Sequence, residues 1–188
     1  MNYIGSKLSL LTFLEESINK VVDKNSRVFC DLFAGTGTVG VYFKKRGYNV
    51  ISNDLQYYSY VLNKHYIENH RILKFDGLAD FIPSLRDLEL SERKDTVCDY
   101  LSNIAGIEGF IYKNYCHGGT KSKKEQRLYF SDENGKKSDA IRRKIEEWKN
   151  KKMVTDGEYY FLLASLIESI DKTANTASVY GAFLKKLK

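Results

Sequence analysis

Three glycines, Gly35, Gly37 and Gly40, stand in CDLFAGTGTVG at residues 30–40, and Asp31 precedes the first of them by four residues. A Gly-x-Gly-x-x-Gly run between an apolar segment and a helix lets backbone come close to a ligand. That pattern alone does not choose among nucleotide-like cofactors. Asp31 does. A dinucleotide sets its pyrophosphate at the start of the following helix, where a nearby carboxylate would repel it. S-adenosylmethionine (AdoMet) carries an ammonium and a sulfonium and no phosphate, so a carboxylate beside the loop helps it. Asp54, at the end of the next apolar run, suits both hydroxyls of a ribose. Nicotinamide sites use an acid there too, so Asp54 leaves the cofactor open.

The surrounding pattern supplies elements to hold these groups. Leu8, Leu11, Leu14, Ile18 and Val21 recur at helical spacing. Residues 27–33 read as a buried strand ending at the glycine loop. Residues 38–46 read as a helix with Gly47 as its stop. Residues 48–53 read as a second strand and 56–69 as a helix. Strand, helix, strand, helix is the opening of a Rossmann-like α/β domain. Residues 78–105 are mixed and mostly helical, 110–117 aromatic, and 118–124 a Gly/Lys/Ser loop. Residues 127–130 could form a short strand, and Asn134-Gly135 a turn. Ser138 is placed to cap a helix running to about Lys152, with Ile141, Ile145 and Trp148 as its apolar face. Residues 158–172 are apolar nearly all round, which implies a buried helix.

The chain has 188 residues, enough for one domain or a domain with a subdomain. No apolar run approaches the roughly 18 residues of a membrane helix. The first residues, MNYIGSKLSLL, lack a signal-peptide layout. Three dispersed cysteines argue against a disulfide framework and for a reducing compartment. Cys116-His117 makes no metal site, because no second Cys or His pair lies at ligand spacing. Cys30 is expected to be plain core. The net charge of +6 is not evenly spread. Residues 111–152 hold 13 Lys+Arg against six Asp+Glu, and the rest is nearly balanced. Such a segment suits a polyanion; a solvated basic helix would look the same.

DLFAGTGTVGVYFKKRGYNVISND resembles the AdoMet-binding motifs of the Dam-like, D12-class adenine-specific DNA methyltransferases. NYIGSK with the following Leu-rich helix resembles their N-terminal cofactor motif. NYCHGG, RLYFSDENGKKSDAIRRKIEEWK, LLASLIES and SVYGAFLKKLK resemble one bacterial modification-methylase branch. The resemblance implies an α/β fold: an incomplete Rossmann-like AdoMet-dependent methyltransferase domain with a mostly helical target-recognition subdomain. Residues 1–75 would bind AdoMet, 76–175 would recognise DNA, and 176–188 would begin the return to the catalytic domain. It also implies roles. Tyr3, Ser6 and Lys7 would contact AdoMet from the N-terminal loop. Asp31 would hold the methionine amino group, Ala34, Gly35, Thr36 and Gly37 would line the cofactor, Asp54 would bind the ribose, and Leu55 would touch the adenine. The whole enzyme would flip an adenine from double-stranded DNA and methylate N6 by direct displacement, in a bacterial cytoplasm, as part of a restriction–modification system.

One family element is missing. An exocyclic amine is a poor nucleophile because its lone pair is delocalised into the base. The family answers with an Asp-Pro-Pro-Tyr-type loop that accepts from the amine and stacks on the flipped base. This chain has a single proline, Pro83, so it holds no such loop and no catalytic residue of that kind. Two sheet strands alone would also leave apolar faces bare. A C-terminal catalytic polypeptide or a second copy of the chain is the expected cover. A truncated gene or a cut piece would read the same way.

For DNA, Lys121, Lys123, Lys124 and Arg127 lie on or near the Gly/Ser loop and suit phosphates. Arg142 and Arg143, with Lys149 and Lys151, would extend that surface, and Asn114, Tyr115 and His117 are candidate base or backbone contacts. Two other readings stay open. One is a non-catalytic DNA-binding or assembly subunit that keeps the AdoMet fold. The other, an NAD-dependent oxidoreductase, is disfavoured by Asp31.

Overall fold

A computed structural model of the chain describes residues 7–176 and 182–187. Contacts divide it into two units, residues 2–70 and 71–188.

In the N-terminal unit a 3-10 turn, Leu8–Leu10, leads into α1 (Leu11–Asn19). Then follow β1 (Val28–Asp31), α2 (Thr38–Lys44), β2 (Asn49–Ser52) and α3 (Tyr57–Asn63), which continues as a π turn over Lys64–Glu68. β1 and β2 pair in parallel, with Val28 opposite Asn49 and Asp31 opposite Ser52. Parallel pairing needs a crossover, and α2 provides it. Gly47, at φ +85°, is the left-handed residue that ends the helical segment as expected.

Phe43 of α2 is buried and stacks on Phe29 of β1, ring centroids 4.1 Å apart. Val39, Val61, Leu62 and Ile67 complete this core. Gly40 lets α2 lie close on the strand: an added Cβ would meet Ile67 and Val50 at 3.1 and 3.3 Å. Lys44 donates to the carbonyls of Tyr66 and Ile67, closing the end of the π turn; partial burial lowers its pKa. Glu15 of α1 binds Arg46 and accepts from Tyr42 at 2.6 Å, tying α1 to the C-terminal end of α2.

Among the described residues of this unit, the sheet is covered on one face only. Both strands alternate between exposed and half-buried residues. Val28 is 58% and Ile51 56% exposed, and Cys30 between them is exposed as well. The expected buried strand and core Cys30 are therefore corrected. The apolar run is present, but nothing among the described residues of this unit covers its second face.

The C-terminal unit is helical. It holds α4 (Leu90–Asn103), α5 (Phe110–Tyr115), a single turn α6 (His117–Thr120), α7 (Asp132–Asn150) and α8 (Asp156–Thr173). Trp148 and Ile145 of α7, Leu162 of α8, Val97 of α4 and Leu85 are fully buried together with Phe75 and Leu78. α8 begins with a capping box. The Thr155 side chain accepts from Glu158 N, and the Glu158 carboxylate accepts from Thr155 N. The same carboxylate accepts from the amide of Phe75, pinning the start of this unit.

Two expectations for residues 131–138 are corrected. Asn134-Gly135 is no turn but lies in the first turn of α7. The cap is Ser131, whose hydroxyl accepts from Asn134 N at 3.1 Å, and Ser138 is buried inside the helix. Packing overrides turn propensity here: Gly135 rests on Cys116, where a Cβ would collide with the sulfur. Residues 127–130 are no strand either; Phe130 alone bridges to Cys116. The loop expected at 118–124 begins with α6. Residues 182–187 pack on this unit. Phe183 sits 5.0 Å from the Tyr129 ring, and the Asn175 amide donates to Leu128 O and Leu184 O.

Candidate functional site

Parallel strands end at the same edge, so the segments after β1 and β2 must lie side by side. The backbone stitches them together. Asn53 N donates to Asp31 O at 2.8 Å and Ala34 N to Asn53 O at 2.9 Å. The Asn53 side chain donates to Leu32 O at 3.0 Å. The Asp54 carboxylate then accepts from Gly35 N at 2.8 Å and from Gln56 N at 2.9 Å. These hydrogen bonds, Gln56 first and then Gly35, hold its pKa below the usual carboxylate value. Asp54 is thus ionised at neutral pH, with lone pairs to spare on both oxygens. Asp31, half-buried at the end of β1, accepts from Phe33 N at 3.2 Å.

The glycines meet real backbone demands. Gly35 and Gly37 stand at φ +53° and +78°, in the left-handed region. Gly37 opens α2, and its carbonyl accepts from Val41 N at 2.8 Å. Behind the loop lies Asn63 of α3, a residue no motif reading singled out. Its amide nitrogen donates to Gly35 O at 3.4 Å and Ser59 O at 2.9 Å. A Cβ on Gly37 would come within 2.9 Å of its oxygen. An asparagine two helical turns downstream of a strand carries no local signal, so only the fold exposes its part.

The loops over 31–38 and 53–56 contain Asp31 and Asp54 and no lysine or arginine. That chemistry fits a cationic ligand and opposes a phosphate. Ala34 is buried, Thr36 is half-buried with its hydroxyl 2.9 Å from that of Thr38, and Leu55 is 95% exposed. Lys7 is exposed at the head of the first turn. Tyr3 and Ser6 lie outside the described residues. A cleft of about 440 Å3 adjoins Asp54, bounded by Ser52, Asn53, Ser59, Asn63 and His70.

The basic residues divide into two sets. On α7 and the residue that caps its end, Arg142 pairs with Glu146, Lys144 and Lys151 with Glu147, and Lys149 with Asp156 of α8. Lys144 and Lys151 bind Glu147 and hold its carboxyl down to about 2. Much of the helix charge is therefore spent internally, which weakens the case for Arg142 as a phosphate contact; Arg143 beside it is exposed. The second set is the loop after α6. Lys121, Lys123 and Lys124 are exposed, and Lys123 reaches Lys113 O and Asn114 Oδ1. Asn114, Thr120, Lys123, Lys124, Glu125 and Arg127 line one cleft of about 310 Å3. His117 is exposed at the start of α6. Arg142 and Arg143 do not line this cleft.

Two carboxylates of α7 hold that region in place. Asp139 is 8% exposed and accepts from Ile111 N and Tyr112 N, both at 2.9 Å, at the start of α5. Asp132 accepts from Gly118 N at 2.9 Å at the start of α6. Gly109 and Gly118 leave the space these carboxylates occupy.

No helix among the described residues is long and apolar enough to cross a membrane. The family model described as D12 class N6 adenine-specific DNA methyltransferase matches residues 3–188. The type II methyltransferase M.NlaIII of Neisseria lactamica is 50% identical over 190 aligned residues, which cover all of this chain and 50% of that protein. The modification methylase StsI of Streptococcus sanguinis is 39% identical, over 98% of this chain and 26% of its own length. The type II methyltransferase M.CviAII of Paramecium bursaria Chlorella virus 1 is 38% identical, over 100% of this chain and 50% of its own. The chain thus spans a quarter to a half of these relatives. No solved structure matches.

Proposed function

Because the chain belongs to the D12 class of N6 adenine-specific DNA methyltransferases, we propose that it is the AdoMet- and DNA-binding part of a type II modification methylase. Its N-terminal unit is the opening of a Rossmann-like methyltransferase domain, and its C-terminal unit recognises the target duplex. AdoMet supplies a methyl group on a sulfonium, which the exocyclic amine displaces directly. The chain's own contribution is to bind and to position. Asp31 holds the ammonium, Asp54 the ribose, and Leu55 packs on the adenine. Gly35 and Gly37 bring backbone close enough to line the methionine portion, with Tyr3, Ser6 and Lys7 contacting it from the N-terminal side.

The observation that carries this reading is the joint between Asp54 and the glycine loop. It places two acids and no base at the ends of adjacent parallel strands. A carboxylate–Pro–Pro–aromatic loop would have to come from another segment. The relatives are twice as long or more, and one face of the sheet is bare among the described residues of its own unit. A C-terminal catalytic polypeptide laid on that face would supply both the loop and the cover.

A second reading for the chain by itself is a DNA-binding subunit that retains the cofactor fold without turnover. Calorimetric AdoMet binding and tritiated methyl transfer to mixed-sequence DNA decide between them. Each is run with the chain alone and with a polypeptide matching the second half of M.NlaIII. AdoMet binding by the chain, with transfer gained on adding the second polypeptide, is the expected result. Binding with no transfer in either case would favour the second reading. No AdoMet binding in either case would remove the proposed cofactor site.

A further inference from the structure

Two clefts of the C-terminal unit meet at Arg127. The smaller is the polar one described above, with Lys123 and Lys124 on its wall. The larger, about 620 Å3, is lined by Ile111, Tyr115, Gln126, Tyr129, Phe183 and Arg127 itself. Its size lies within the roughly 300–1,000 Å3 of small-molecule sites. Its aromatic side is a corner rather than a flat patch. Tyr115 and Tyr129 meet at 5.8 Å and 74°, and Tyr129 and Phe183 at 5.0 Å and 68°. Both tyrosines are half-buried and rest on the core of Cys116, Phe130 and Ala174, so the corner is rigidly backed. The Arg127 guanidinium lies 5.7 Å from the Tyr115 ring, within 3.5 Å of Asn114 O and 4.0 Å from Glu125. Gln126 donates its amide nitrogen to Lys121 O at 3.2 Å and keeps its oxygen as an acceptor.

A nucleotide has the same polarity as this pair of clefts: a flat aromatic base at one end and a phosphate at the other. Bases stacked in a duplex cannot enter such a corner, whereas an unstacked base fits it and gains from the aromatic faces. Taking an adenine out of a duplex leaves unstacked bases behind. Resting on the DNA-binding role proposed above, we propose that the two clefts together hold one unstacked nucleotide of the bound DNA. Its base lies against Tyr115 and Tyr129, its phosphate between Lys123 and Lys124, and Arg127 spans the two. Gln126, which lines the larger cleft, and Glu125, which lines both, are acceptors for an exocyclic amine of that base.

The test compares two short labelled DNAs by fluorescence anisotropy: a fully matched duplex and the same duplex with one unpaired 2-aminopurine nucleotide. The chain should bind the second about tenfold more tightly and quench its 2-aminopurine, as one base stacking on aromatics allows. Arg127→Met and Tyr115→Leu should abolish that preference, each weakening the DNA with the unpaired nucleotide more than the matched duplex. Lys123→Gln with Lys124→Gln should weaken both DNAs together. The Arg127 side chain is 41% exposed and outside the apolar core, so its variant carries the test even if Tyr115→Leu misfolds. Equal affinity for the two DNAs, a preference that survives Arg127→Met, or no DNA binding at all would each overturn the proposal. AdoMet binding measured on the same preparations reports separately on the function proposed above.

Discussion

The Asp54 carboxylate and the amide of Gly35, nineteen positions apart, are joined at 2.8 Å. Through this bond the end of one strand sets the shape of the loop that follows the other. Asp54→Ala should remove it together with the Gln56 contact. A loss of about 1–2 kcal/mol is expected for two hydrogen bonds to a charged, partly exposed acceptor. AdoMet affinity should fall more than stability does, because the loop and the ribose acceptor go together. Calorimetric titration beside a denaturant melt separates the two effects.

Gly37→Ala is expected to be costly for a local reason. At φ +78° a Cβ is strained by about 1–2 kcal/mol. Here it would also press on the Asn63 oxygen at 2.9 Å. Asn63→Ala relieves that contact but frees the Gly35 carbonyl. The double variant should therefore be less destabilised than the sum of the singles, which a double-mutant cycle on melting free energies would show.

Asp139→Ala should unmake the start of α5, leaving the Ile111 and Tyr112 amides without their acceptor. The expected cost is about 2 kcal/mol, as for loss of a buried helix cap. DNA affinity should drop with it, since α5 leads into the Lys121–Arg127 loop, whereas AdoMet binding should hold. Amide exchange at residues 110–120 is the direct readout.

Acid should loosen the α7 surface in a defined window. Lys144 and Lys151 hold Glu147 at about 2 in the folded chain, against its ordinary value of 4.5. The folded value is depressed, so the stabilisation is fully present above 4.5 and is lost as the pH falls from there towards 2. Glu147→Gln should flatten this part of the acid melt. Salt should weaken it as well, because the carboxylate is partly exposed.

The three thiols should separate by reactivity. Cys30 is exposed on the bare sheet face, whereas burial pushes Cys98 and Cys116 up to about 11. A chromogenic disulfide at mildly alkaline pH should label Cys30 first. Rapid labelling of Cys116 would mean that the packing of α5 on α7 is looser than described.

Much of the N-terminal unit can be read in its residues. Hydrophobic spacing and glycine position are local properties, and both strands and α2 follow from them. The C-terminal unit is less legible. Asn134-Gly135 has the residues of a turn but lies in a helix, because Cys116 needs a neighbour without a side chain. Ser131 rather than Ser138 is the cap, since helix starts depend on where packing first pays for order. The basic run 111–152 counts charges correctly but cannot show that Arg142 and Lys144 are spent on acids of their own helix.

By itself the sequence determined the family, the glycine loop and the two acids that frame it, because each is a matter of residue type at short spacing. Only the tertiary structure decided which partners those residues meet. Asn63 stands behind the loop, Asp132 and Asp139 hold the heads of two preceding helices, and Arg127 lies where an aromatic and a cationic cleft join. The physical reason is range. Periodicity is set by neighbours along the chain, whereas a carboxylate that meets an amide fourteen to twenty-eight residues away is placed by the packing of whole helices.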